Sequence, residues 1–87
     1  MSASLIEKLE QMVPGFQGYR DPRRAEEDDA LIRERAAEIL DEAKARVERL
    51  IVVMKKRSVG TALRLDDLRL ELIKATQMLR HVERGPS

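Results

Sequence analysis

Apolar residues recur at helical spacing in three stretches, and polar residues fill the positions between them. Leu5, Ile6, Leu9, Met12 and Val13 share one face of a short segment, which predicts a helix over about 4–13. A second, broader stripe reads Ile32, Ala36, Ile39, Leu40, Ala43, Val47, Leu50, Ile51 and Met54. No glycine or proline interrupts it between Pro22 and Gly60, so one continuous helix is predicted over about 22–58. In the third stretch Leu65, Leu68, Leu72, Ala75, Leu79 and Val82 alternate spacings of three and four, the signature of a coiled-coil seam. Leu70, Ile73 and Met78 widen that seam toward a bundle-type face, and the predicted helix covers about 62–84. No strand pattern, repeat or low-complexity tract competes with this reading. The expectation is an all-α protein, a single helical domain over residues 1–87.

The punctuation agrees with the stripes. Ser4 with Glu7 three residues later forms a capping box for the first helix, and Pro14-Gly15 ends it. Residues 14–21 are then a turn segment. Asp21 is placed to cap the second helix, with Pro22 at the first helical position, where its missing N–H costs nothing. Glu26, Glu27, Asp28 and Asp29 lie near the positive end of that helix, and Lys55, Lys56 and Arg57 near its negative end. Ser58-Val59-Gly60-Thr61 reads as the next break, with Thr61 as the cap beyond it, and Gly85-Pro86 as the final stop.

Short connections make consecutive helices antiparallel neighbours. The third helix is therefore expected to fold back on the second as a long hairpin, and the first helix to fold over the start of the second. Three such helices cannot enclose stripes this wide. Assembly into a helical bundle follows, a dimer being the first expectation. Its predicted interface is Ile39, Val47, Leu50, Leu68, Leu72 and Leu79.

Composition sharpens two points. Charged residues make up 38% of the 87, yet 17 basic and 16 acidic side chains leave a net charge of only +1. A non-specific nucleic-acid binder normally carries a clear positive excess. The other point is the placement of the aromatics. Phe16 and Tyr19, the only two in the chain, both fall in VPGFQGYRDPRR, residues Val13–Arg24. Gly15 and Gly18 make this a compact turn, so the aromatics serve to pack the turn against the flanking helices. The rival reading makes Phe16, Tyr19, Arg20, Arg23 and Arg24 a partner-binding surface, since Tyr and Arg are enriched at interface hot spots.

Candidate chemistry is sparse. With no cysteine there is neither disulfide nor thiolate site. His81 is the sole histidine, and Met78 stands three residues before it where a di-iron helix carries Glu. The acidic runs lack the alternating ligands of a calcium loop and read as helix starts. No nucleophile–base constellation or phosphate loop occurs, so no catalytic residue, metal ligand or cofactor is assigned, and the chain is read as a non-enzyme. Lys55, Lys56, Arg57 and Arg64 form the densest basic patch. It motivates an alternative reading as a nucleic-acid-associated accessory protein. There is no run of about 20 apolar residues, so no membrane partner is expected. Nor is there a secretory leader, and a cytoplasmic location is expected.

The turn also carries a resemblance. PGFQGY, followed by Asp29-Ala30-Leu31-Ile32-Arg33 and later by Leu65-Asp66-Asp67-Leu68, resembles a family of small uncharacterised bacterial and archaeal helical proteins. In that family a PG-aromatic-x-G-Tyr turn precedes Asp-x-x-Leu-Arg at the head of a long helix. The resemblance implies the same helical layout and an Asp29–Arg33 pair beneath the aromatic turn, and no activity. The leading expectation is a small self-associating helical module that also docks onto another protein.

Overall fold

Helix α1 spans Ser2–Met12, a 3-10 turn follows at Pro22–Arg24, and α2 spans Ala25–Met54. Helix α3 then runs Val59–Arg80. The computed structural model describes residues 2–81, with side chains from residue 5 onward; all described elements are helical. Contacts gather the chain into two compact units, Met1–Arg35 and Ala36–Ser87, with α2 contributing to both.

Several predicted boundaries shift for identifiable reasons. Ser4 lies inside α1, because the helix begins two residues earlier. Asp21 caps as expected: its backbone is extended and its carboxylate accepts the Arg23 N–H at 3.0 Å, with Pro22 next. What it caps, however, is a 3-10 turn that widens into α2 at Ala25. The predicted continuity of helix two to Ser58 fails at Met54. There the hydrogen bonds tighten, with Lys56 N–H donating to Val53 O and Arg57 N–H to Met54 O, and Ser58 turns to an extended conformation. Lys55, Lys56 and Arg57 therefore occupy the connecting turn. Ser58 replaces Thr61 as the cap of α3. Its Oγ accepts the Thr61 N–H at 3.3 Å and lies 3.0 Å from Thr61 Oγ1. Gly60 falls inside the first turn of α3 and breaks nothing. The third helix ends at Arg80, with the His81 N–H donating to Gln77 O at 2.8 Å. Val82 and Gly85-Pro86 lie outside the described residues.

In the second unit α2 and α3 pack as a helical hairpin. Buried and half-buried positions on α2 include Ala37, Leu40, Lys44, Val47, Ile51 and Met54. Those on α3 include Ala62, Leu65, Arg69, Leu72, Thr76 and Leu79. Both series alternate three and four, so each helix presents one heptad seam to the other. The seam on α3 is not the predicted one. It keeps Leu65, Leu72 and Leu79 and takes Ala62, Arg69 and Thr76 in place of Leu68 and Ala75. The larger aliphatic side chains of this seam are interrupted by two alanines, a threonine whose hydroxyl donates to Leu72 O at 2.8 Å, and two cationic stems. Arg69 holds its charge against Asp66 at 2.9 Å while its aliphatic stem lines the seam.

Candidate functional site

Two surfaces merit a functional reading, one in each unit. The first is the aromatic turn. Pro14 and Gly15 occupy the centre of a turn closed by Phe16 N–H to Val13 O at 3.1 Å, with Gly15 at φ +86°. Proline followed by a positive-φ glycine is the type II pattern. A second turn follows at once. Gly18 at φ +67° and Tyr19 at φ +61° sit between Gln17 O and Arg20 N–H, the type I′ pattern. Tyr19 is the one described non-glycine residue with positive φ, and such a conformation carries strain.

Asp28 holds that conformation in place. It is 1% exposed, and its two carboxylate oxygens accept the N–H groups of Gln17 at 2.9 Å and Tyr19 at 3.0 Å. The Tyr19 hydroxyl donates to Asp29 Oδ1 at 2.6 Å. That bond, then burial and the nearby carboxylates of Asp29 and Asp28, raise the Tyr19 pKa above its ordinary value, with Arg33 opposing. The Phe16 and Tyr19 rings meet edge to face, 5.3 Å apart. Phe16 is buried and Tyr19 exposed. A Cβ on Gly18 would stand 2.9 Å from Ile6 Cγ2 and 2.7 Å from Glu10 Oε1, so the turn lies directly against α1.

The arginines of this segment are each engaged by a nearby carboxylate. Arg20 pairs with Glu10 at 2.8 Å, Arg23 with Asp21 at 3.2 Å and Arg24 with Glu27 at 2.9 Å. Arg23 in turn holds the Asp21 carboxyl below its ordinary pKa. Among the described residues no ion pair joins Asp29 to Arg33; the Asp29 carboxylate instead accepts the Tyr19 hydroxyl. The role of Asp28 was hidden within a run of four acids. Its signal is phase: it stands four residues before Ile32, on the apolar stripe, where a carboxylate needs dedicated donors.

The second surface lies along the hairpin. The Asp41–Arg80 ion pair at 2.7 Å spans one flank and fixes which sides of the two helices coincide. Heptad geometry then places Asp41 and Glu48 of α2, with Lys55 just beyond its end, beside Val59, Asp66, Ile73 and Arg80 of α3. A concavity of about 330 Å³ opens at the turn end of this flank, between Ile51, Lys55, Val59, Ala62, Leu63 and Asp66. On the opposite flank the positions next to the seam are Ala43, Leu50, Thr61, Leu68 and Ala75, none of them charged. Ile39 lies just outside them. Ile39, Leu50 and Leu68 are 40%, 48% and 45% exposed. Of the predicted interface set, then, Val47 is buried in the seam, Leu72 and Leu79 are half-buried, and these three are open.

Lys55, Lys56, Arg57 and Arg64 are all exposed, as is His81. Among the described residues no group of three or more His, Cys, Asp or Glu side chains is arranged to hold a metal ion. No described helix is long and apolar enough to cross a membrane. No protein-family model, curated protein or solved structure matches the chain.

Proposed function

We propose that this protein is a small helical interaction module that works by self-association. The observation that supports this most is the open row of Ile39, Leu50 and Leu68 beside a seam whose larger aliphatic side chains are interrupted by Ala37, Lys44, Ala62, Arg69 and Thr76. A hairpin held by Ala37, Val47, Ile51, Ala62 and Thr76 buries little, and a domain of this size is marginal when alone. The apolar row is continuous with the seam, so covering it extends the same core. Sedimentation equilibrium is the test. The wild-type chain sediments as an oligomer, and Ile39→Glu or Leu68→Glu shifts it to monomer. A wild-type monomer at high micromolar concentration would overturn the reading.

A second reading draws on the basic turn. Lys55, Lys56, Arg57 and Arg64 are exposed and hold no ion pair among the described residues. Four free cations at one end of a hairpin suit an acidic surface such as a nucleic-acid backbone. Binding to duplex DNA or RNA that weakens with salt, and disappears when Lys56 and Arg57 become Glu, supports it. Absence of binding at low salt removes it.

A further inference from the structure

The stripe that is strongest in the sequence is only half used by the hairpin. On α3 that stripe is Leu65, Leu68, Leu72, Ala75 and Leu79, and on α2 within the hairpin it is Ala36, Ile39, Leu40, Ala43, Val47, Leu50, Ile51 and Met54. The seam between the helices takes one edge of each stripe and adds Ala37 and Lys44 on α2 and Ala62, Arg69 and Thr76 on α3. The other edge, Ala43, Leu50, Leu68 and Ala75, points along one flank with Ile39 beside it. Charge separates this flank from its opposite. There, five charged residues, Asp41, Glu48, Lys55, Asp66 and Arg80, alternate with the apolar Val59 and Ile73 between the seam and the outer residues Val52, Leu63 and Leu70. A core can grow outward only where the positions next to the seam are uncharged.

We propose that a second copy of this chain docks on the flank of Ile39, Ala43, Leu50, Leu68 and Ala75. The two copies are related by a two-fold parallel to the helices, which lays α2 of each on α3 of the other. This inference rests on the self-association proposed above and names its face and geometry.

The rim of the flank chooses the two-fold. On α2 it carries Arg46, which has no ion-pair partner among the described residues. On α3 it carries Glu71, whose one ion pair among the described residues is a 3.6 Å pairing with Lys74 between two well-exposed side chains. With Asp41 opposite Arg80, five residues up α2 and nine back along α3 bring Arg46 and Glu71 within about 6 Å of one level, at 1.5 Å per residue. A two-fold parallel to the helices therefore sets Arg46 of each copy beside Glu71 of the other, twice. A two-fold across the helices would instead pair Arg64 with Glu71 between two α3 helices. It centres on the turn end and leaves Ile39 and Ala43 uncovered, so the first geometry closes more of the row.

The test is a charge swap read by sedimentation equilibrium, with circular dichroism to confirm unchanged helix content. Arg46 and Glu71 lie outside the seam, so the hairpin survives their exchange. Arg46→Glu and Glu71→Arg each weaken dimerisation by about tenfold, because like charges then face one another at two symmetric places. The double variant Arg46→Glu/Glu71→Arg recovers dimerisation to near the wild-type value. Rescue by Arg64→Glu/Glu71→Arg instead overturns the proposed two-fold, and loss of the dimer on Val52→Glu/Leu63→Glu with Arg46→Glu silent overturns the proposed face. A wild-type monomer removes the self-association reading itself. A dimer indifferent to all of these changes removes only the geometry.

Discussion

Asp28 and Tyr19 explain each other. A tyrosine at positive φ is strained, and a buried carboxylate needs donors; the turn satisfies both by aiming the Tyr19 and Gln17 N–H groups at Asp28. Replacing Asp28 with Ala leaves both amides without their acceptor and should cost about 3 kcal/mol in urea unfolding. The glycines make an opposite-signed pair. Gly18→Ala meets a forbidden conformation and the Ile6 and Glu10 side chains, and should destabilise by more than about 1 kcal/mol. Gly60→Ala enters open space in the first turn of α3 and should stabilise by about 0.5 kcal/mol. The Tyr19 hydroxyl has a pH signature. Its folded pKa is raised, so its contribution is complete below the ordinary tyrosine pKa of about 10 and is lost as pH rises through the folded value. Tyr19→Phe should abolish that alkaline loss; an identical alkaline profile in the variant would exclude the Tyr19–Asp29 bond as its source.

At the scale of elements, a cap decides where α2 gives way to α3. Ser58 begins α3 without help from Gly60, and Ser58→Ala should cost about 1 kcal/mol of thermal stability. Much of this layout was legible. The three helices, the Pro14-Gly15 stop and the Asp21-Pro22 start follow from local chemistry, which is written in adjacent residues. Helix ends were less legible. Ser58 and Thr61 are both good caps, and only the tightening of the turn over Lys55–Arg57 selects between them. The seam of α3 was half legible. Leu65, Leu72 and Leu79 were identified, but the leucine pattern pointed to Leu68 and Ala75, whereas the hairpin took Ala62, Arg69 and Thr76. Side-chain hydrophobicity alone does not reveal which edge of a wide stripe meets a neighbour in the same chain. At the aromatic turn, Gly15 and Gly18 announced the backbone, while the Asp28 bonds depend on a tertiary closure that spacing does not encode.

At the scale of the whole molecule, the unused edge of those stripes is the feature that asks for an explanation. Leu50 and Leu68 sit next to the seam, uncharged and open, in a chain where charged residues make up 38% of the sequence. A second copy covering them would give the hairpin the core that Ala, Thr and Lys positions deny it. Folding and association are then one equilibrium, and stability depends on protein concentration. The most direct measurement is the thermal unfolding midpoint across a hundredfold range of concentration. The account predicts a midpoint that climbs steadily with concentration for the wild-type chain and stays flat for Leu68→Glu. A wild-type midpoint that does not move would contradict it.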